Sequence, residues 1–205
     1  MTRAQAVVLQ AASVCLQYPD DPVRQLFPLV RDAVDALPPG RPRERLTAFL
    51  DHVAATPAAA LAEHYVEVFD RRRRCCLDLT WWSDGETRRR GGALAAIKQR
   101  YRAAGVEFTG GELPDFLPAV LEYAATADLA DGLALLQEHR AGLELLRLAL
   151  VEAATAYAAP VEAVCALLPG PSPADVTAAK ALARTGPPRE QVGLDLAPFP
   201  TGGRR

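Results

Sequence analysis

Apolar residues recur at spacings of three and four along most of the chain, and each run stops at proline or glycine, as in a stack of short amphipathic helices. Val7, Val8, Ala11, Val14 and Cys15 share one face of a first helix, opposite Arg3, Gln10, Ser13 and Gln17. It closes near Leu16, because proline in Tyr18-Pro19-Asp20-Asp21-Pro22 disfavours helical geometry in the residue before it. Pro22 suits an early position of the next helix, and Pro28 implies a kink or a restart, after which Leu29, Val30, Ala33, Val34 and Leu37 form the inward stripe. Pro38-Pro39-Gly40 ends it. A third helix from Pro42 to Ala55 turns Leu46, Phe49, Leu50 and Val53 inward, and Thr56-Pro57 reads as the cap and first residue of a fourth.

Later signals are of the same kind. A helix is expected over 86–104, with Leu94, Ile97, Tyr101 and Ala104 buried, acids at its start and Gly105 as its cap. Its consecutive arginines, Arg88 to Arg90, point in different directions and read as solvated surface. A glycine-containing loop over 106–114 follows, and Asp115 fits the N-cap of a helix with Leu117, Val120, Leu121 and Ala124 inside. The stretch 129–168 has leucine on nearly every side, as in helices surrounded by others, and is expected to break near Ala141-Gly142 and at Pro160.

With alanine and leucine dominant and β-branched residues scarce, summed propensity makes the class all-α. At 205 residues, half of them apolar, one domain over 1–168 is expected, followed by a Pro/Gly-rich, largely flexible tail over 169–205 with a short helix near 174–184. A net charge of −2 argues against a general nucleic-acid binder. The four cysteines have no CxxC spacing, so reduced thiols and a cytoplasmic location are expected. The amphipathic start argues against a secretion signal, and no run is long and apolar enough for stable membrane insertion.

The segment Tyr65 to Thr87 breaks the pattern. It holds four arginines, Arg71 to Arg74, then Cys75-Cys76, an apolar alternation, Trp81-Trp82 and an Asp84-Gly85 turn. Such a connector is either pinned to the core by its rings or grips a partner. No phosphate loop, nucleophile elbow or metalloprotease signature occurs, and His52, His64 and His139 lack ligating or triad neighbours. No catalytic or metal residue is assigned, and the chain is not expected to be an enzyme.

The run HYVEVFDRRRRCCLDLTWWSDGETRRRGGALAAIKQRYRAAG, with ELPDFLPAVLEYAA further on and Tyr18-Pro19-Asp20 near the start, closely resembles the NarJ-type assembly chaperones of respiratory nitrate reductase, also called delta subunits, within the TorD-like family of redox-enzyme maturation chaperones. Tyr65 and Phe69 match the family's Y-x-x-[LV]-F, and Asp115 to Tyr123 match its second segment, with Phe116 where the family carries histidine. The resemblance implies a TorD-like helical bundle that binds the N-terminal leader of the apo catalytic (alpha) subunit and assists molybdenum cofactor insertion and complex assembly, without joining the finished enzyme. It implies no permanently bound cofactor. Transient contact with the client's molybdenum cofactor and a homodimer are left open. Partner-binding candidates are Tyr65, Phe69, Asp70, Trp81, Trp82, Asp115 and Glu122. Glu63 and Glu67 join them on charge alone, against a basic leader. Tyr65 also reads as core and Asp115 as a cap. The alternative function is a helical nucleic-acid-binding regulator using Arg71 to Arg74 and Arg88 to Arg90, with salt-dependent binding.

Overall fold

The computed structural model describes residues 2–85, 87–109 and 111–185, and among them it is all-α. The helices are α1 (Arg3–Cys15), α2 (Asp21–Asp35), α3 (Arg41–Ala55), α4 (Ala58–Tyr65), α5 (Trp81–Asp84), α6 (Arg88–Ala103), α7 (Leu117–Thr126), α8 (Leu129–Glu138), α9 (Arg140–Glu152), α10 (Ala158–Cys165) and α11 (Val176–Thr185). A π-helical turn, Val66–Asp70, extends α4, and a short 3₁₀ turn, Arg73–Cys75, follows it. No described helix is long and apolar enough to cross a membrane.

α1 is the central element. It packs along α7 and also touches α2, α3 and α10, so Val8, Leu9, Ala11, Ala12, Val14 and Cys15 are all buried. Small residues let the backbones approach. Ser13, expected on the polar face with Arg3, Gln10 and Gln17, is instead fully buried against α7 and donates from Oγ to the carbonyl of Pro118 at 2.8 Å, which satisfies a hydroxyl that would otherwise be costly to bury. Thr2 and Gln5 form a capping box at the start of α1.

Several expected boundaries shift. Pro28 does not restart the helix: α2 runs through it from the Asp20 cap. The phase is therefore set by Val23 and Phe27, and Leu29 lies outside at 67% exposure instead of in the inward stripe. Thr56 is the end of α3, donating from Oγ1 to His52, and α4 begins after Pro57. α6 begins at Arg88 behind Thr87; its expected acidic start at Glu86 falls outside the described residues. Ile97 and Tyr101 are buried as expected, but Ala104 caps the helix in solvent.

The leucine-rich stretch breaks at His139 and over 153–157, not at Gly142 or Pro160. Pro160 is the third residue of α10, where no intrahelical donor is needed. Ala154, at φ 50°, makes the turn before it. Gly142 serves close approach: a Cβ there would lie 2.6 Å from Cβ of Trp82, so the absent side chain lets α5 sit on α9.

α9 carries a buried charge group that apolar patterning hides. Glu144, at 0% exposure, accepts from Arg140 Nη2 at 3.0 Å, from Arg147 Nε at 2.6 Å and from Ser172 Oγ at 2.7 Å. The same guanidiniums donate to the carbonyls of Pro169, Gly170 and Pro173. This network fixes the segment leading to α11, which lies against α9 with Ala179 buried. The rest of the tail, 186–205, falls outside the described residues.

Removing Glu144 leaves two buried guanidiniums without their carboxylate, so Glu144→Ala is expected to cost about 3–5 kcal/mol in urea unfolding. Gly142→Ala forces Trp82 aside and is expected to cost about 1–3 kcal/mol by the same measurement. Burial, reinforced by His52, pushes His64 below the ordinary imidazole value of 6.5, and burial does the same to His139 against the pull of Glu138. Below pH 6.5 the unfolded chain therefore binds more protons than the folded one, so stability is complete above 6.5 and falls as the pH drops toward the depressed folded values. Melting curves between pH 8 and pH 5 should show this loss, and His64→Gln should make it shallower.

Candidate functional site

The loops between helices open a cleft of about 650 Å³. One wall is the α1–α2 turn, with Tyr18, Asp20 and Val23; another is the start and outer face of α7, with Phe116, Ala119, Glu122 and Tyr123. Tyr65, at the end of α4, and the loop residues Val106 to Thr109 and Glu112 complete it.

Its floor is aromatic. Tyr65 is buried and donates from its hydroxyl to the carbonyl of Leu16 at 3.3 Å, which joins α4 to the end of α1. Tyr18 stands edge-on to it at 5.4 Å and remains 47% exposed. The π-helical turn after Tyr65 inserts an extra residue into the helix and brings Phe69 4.7 Å from Tyr65 and 4.9 Å from Tyr157. Tyr101 stacks near Tyr123 at 4.6 Å and Phe108 at 5.7 Å, and its hydroxyl donates to Pro114, anchoring the loop. Burial raises the Tyr65 hydroxyl well above its ordinary pKa, and the fields of Asp70 and Glu112 add to this. Tyr123 is pushed up to about 12 by burial and by its hydrogen bond to Asp131.

The rim is acidic. Glu107, Glu112 and Glu122 are exposed along it, and the residues lining the cleft include no lysine or arginine. Asp20 also lines it, although one of its oxygens caps α2. Clustered carboxylates over exposed rings attract cations, hold them by charge and ring faces, and repel anions.

Of the candidates named from sequence, Tyr65 and Glu122 line this cleft, Phe69 supports it from behind, and Asp70 is exposed at the turn next to Tyr65. Glu67 is taken up by Arg72 at 3.3 Å, and neither it nor Glu63 lines the cleft. Trp81 and Trp82 lie elsewhere. Trp82 packs on Gly142 of α9 and donates from Nε1 to Cys76, and Arg73 stacks over Trp81 at 5.5 Å. The connector is thus pinned by its rings. Its arginines stay exposed and make surface ion pairs: Arg72 reaches Glu67 at 3.3 Å and Arg74 reaches Glu152 at 3.8 Å.

Asp115 is not the N-cap of α7. It is fully buried, and its Oδ2 accepts from the Thr80 amide at 3.0 Å and the Thr80 hydroxyl at 2.5 Å, with Arg90 at 3.6 Å. Arg90 also bonds Asp78 at 2.7 Å, so it is a clamp, not the solvated arginine expected. Backbone bonds from Leu79 to Asp115 and from Leu117 to Leu77 extend the attachment. Phe116 stands at the cleft, supplying a ring without charge. Reading the sequence missed Glu107, Glu112 and Phe108, because loop residues carry no periodic signal; the acids beside aromatic residues in 107–112 were the only cue.

A group of three or more metal-ligating side chains is absent among the described residues. Burial raises the thiols of the buried Cys75 and half-buried Cys76 above their ordinary pKa, which disfavours the thiolate form.

The family profile described as nitrate reductase delta subunit matches residues 35–162. The chain is 42% identical over 159 residues, 78% of its length, to the nitrate reductase-like protein NarX of Mycobacterium tuberculosis, of which it spans 24%. It is 34% identical over 128 residues to the probable nitrate reductase molybdenum cofactor assembly chaperone NarJ of Bacillus subtilis, covering 62% of this chain and 70% of that one. Against the nitrate reductase molybdenum cofactor assembly chaperone NarJ of Escherichia coli it is 32% identical over 155 residues, 74% of this chain and 65% of the relative. The profile match spans α3 to α10 and takes in the connector and both motif segments, and on it the chain belongs to the nitrate reductase delta subunit family.

Proposed function

We propose that the chain is a cytoplasmic assembly chaperone for respiratory nitrate reductase, which binds the N-terminal leader of the apo catalytic subunit and keeps that subunit open for molybdenum cofactor insertion. The observation that carries this reading is the cleft, whose lining combines three exposed glutamates with Tyr18, Phe108 and Phe116 and contains no basic side chain. Such a lining suits a short segment that alternates basic and apolar residues. The names of the relatives point to the same client. Tyr65 and Tyr101 hold the floor rigid, Phe116 and Tyr18 supply apolar contact, and Glu107, Glu112 and Glu122 select positive charge.

Chaperoning of this kind needs no chemistry. A protein that binds the unfilled client better than the filled one shifts the client toward the insertable form and is released when that difference vanishes. The molybdenum cofactor is the client's cargo. Among the described residues no observation favours the nucleic-acid reading, and Arg90 of the second arginine run is taken up by Asp78 and Asp115.

In calorimetric titration, a synthetic leader peptide from the same organism's catalytic subunit is expected to bind one site, while a scrambled peptide does not. Glu112→Gln combined with Glu122→Gln should weaken binding about tenfold and flatten its salt dependence, given about 0.5–1 kcal/mol for each exposed charge contact. Unchanged affinity in that double variant would move the leader to another surface.

A further inference from the structure

α2 has two apolar faces. Val23, Phe27, Val30 and Val34 are buried in the core. Pro22, Leu26, Leu29, Ala33 and Ala36, spaced four, three, four and three, fall on a second stripe beside it. Leu29 is 67% exposed and Leu26 41%. Spacing of this kind is how one helix receives another, and leucines left on it contribute little to the isolated fold.

Two observations say what covers the stripe. The first is position: Asp20 and Val23 line the cleft, so the stripe begins where the cleft ends, and it continues along α2 for roughly 20 Å at 1.5 Å per residue. The second is charge. The solvent side of the stripe carries Asp32 and Asp21, both exposed, with Asp35 further round toward Arg24 and Arg31, and those arginines are paired with Asp21 and Asp51. A second copy of α2 would set these carboxylates against their own kind.

We propose that the outward face of α2, centred on Leu26 and Leu29, is a docking track for the client segment that follows the one held in the cleft, received as an amphipathic helix with basic residues toward Asp32. The proposal rests on the leader-binding reading of the cleft. It divides recognition into a short segment gripped by charge and rings, and an adjoining helix held by apolar contact. Linking two weak contacts on one peptide raises overall affinity well above either alone.

The test uses the full chain, as wild type and as the double variant Leu26→Asp with Leu29→Asp, and two peptides from the start of the catalytic subunit: one of about ten residues and one extended by about fifteen. Both substitutions are at exposed positions, so the circular dichroism spectrum should not change. The extended peptide is expected to bind the wild type at least tenfold more tightly than the short one. In the double variant that advantage should disappear while the short peptide keeps its affinity. The proposal is overturned if extension brings no gain in the wild type, or if the gain survives in the double variant; leader binding would stand in either case. If neither peptide binds the wild type, the cleft reading fails and the track fails with it. Sedimentation showing a wild-type dimer that the double variant abolishes would assign the stripe to a second copy and overturn the proposal too.

Discussion

One buried carboxylate holds the two halves of the site together. Asp115 gathers the amide and hydroxyl of Thr80 and the guanidinium of Arg90, so the connector after α4, the start of α6 and the start of α7 meet at one oxygen. A carboxylate at 0% exposure is costly unless donors meet it; Thr80 satisfies Oδ2, Arg90 adds its charge at 3.6 Å, and Oδ1 is buried without a hydrogen-bond partner. Leu77 and Leu79 are bonded to the same strand-like segment. The result fixes where Phe116 emerges and how α7 presents Glu122 to the cleft.

Charge is separated on the molecule by this arrangement. Of the connector arginines, Arg73 lies over Trp81 and Arg72 and Arg74 make surface ion pairs with Glu67 and Glu152, while the glutamates of the 105–114 loop and α7 stand exposed around the rings of the cleft. A small net charge therefore conceals a local field, and it is the local field that a ligand meets. The aromatic floor is continuous from Tyr18 through Tyr65 and Phe69 to Tyr157 and Phe49, so the cleft rests on the rigid core formed by α1, α3 and α10. Away from the cleft lining, the Arg140–Glu144–Arg147 group ties the segment before α11 to α9 through backbone carbonyls, which are acceptors whatever the side chains.

Helical class and most helix cores were legible in the sequence, because periodicity of three and four is a property of neighbouring residues and needs no tertiary information. The buried faces of α3 and α7 could be read this way, as could the start of α2 at Asp20-Asp21-Pro22, whereas α1, surrounded by other helices, also buries Leu9, Ala12 and the Ser13 of its expected polar face. The resemblance carried by the His64–Gly105 run and the 112–125 string was equally a property of the string itself. What the sequence could not decide was which of two admissible faces a helix buries and which partner a polar side chain meets. Leu29 and Phe27 both fit an apolar stripe; only the packing of α2 against α1 and α3 chose Phe27. Asp115 has the chemistry of a cap, but Thr80, thirty-five residues away, took it. Gly142 has the look of a break, but Trp82 needed its missing side chain. The cleft, too, is assembled from the α1–α2 turn, the end of α4, a loop and α7, segments whose proximity follows from long-range packing and leaves no periodic mark on any one of them.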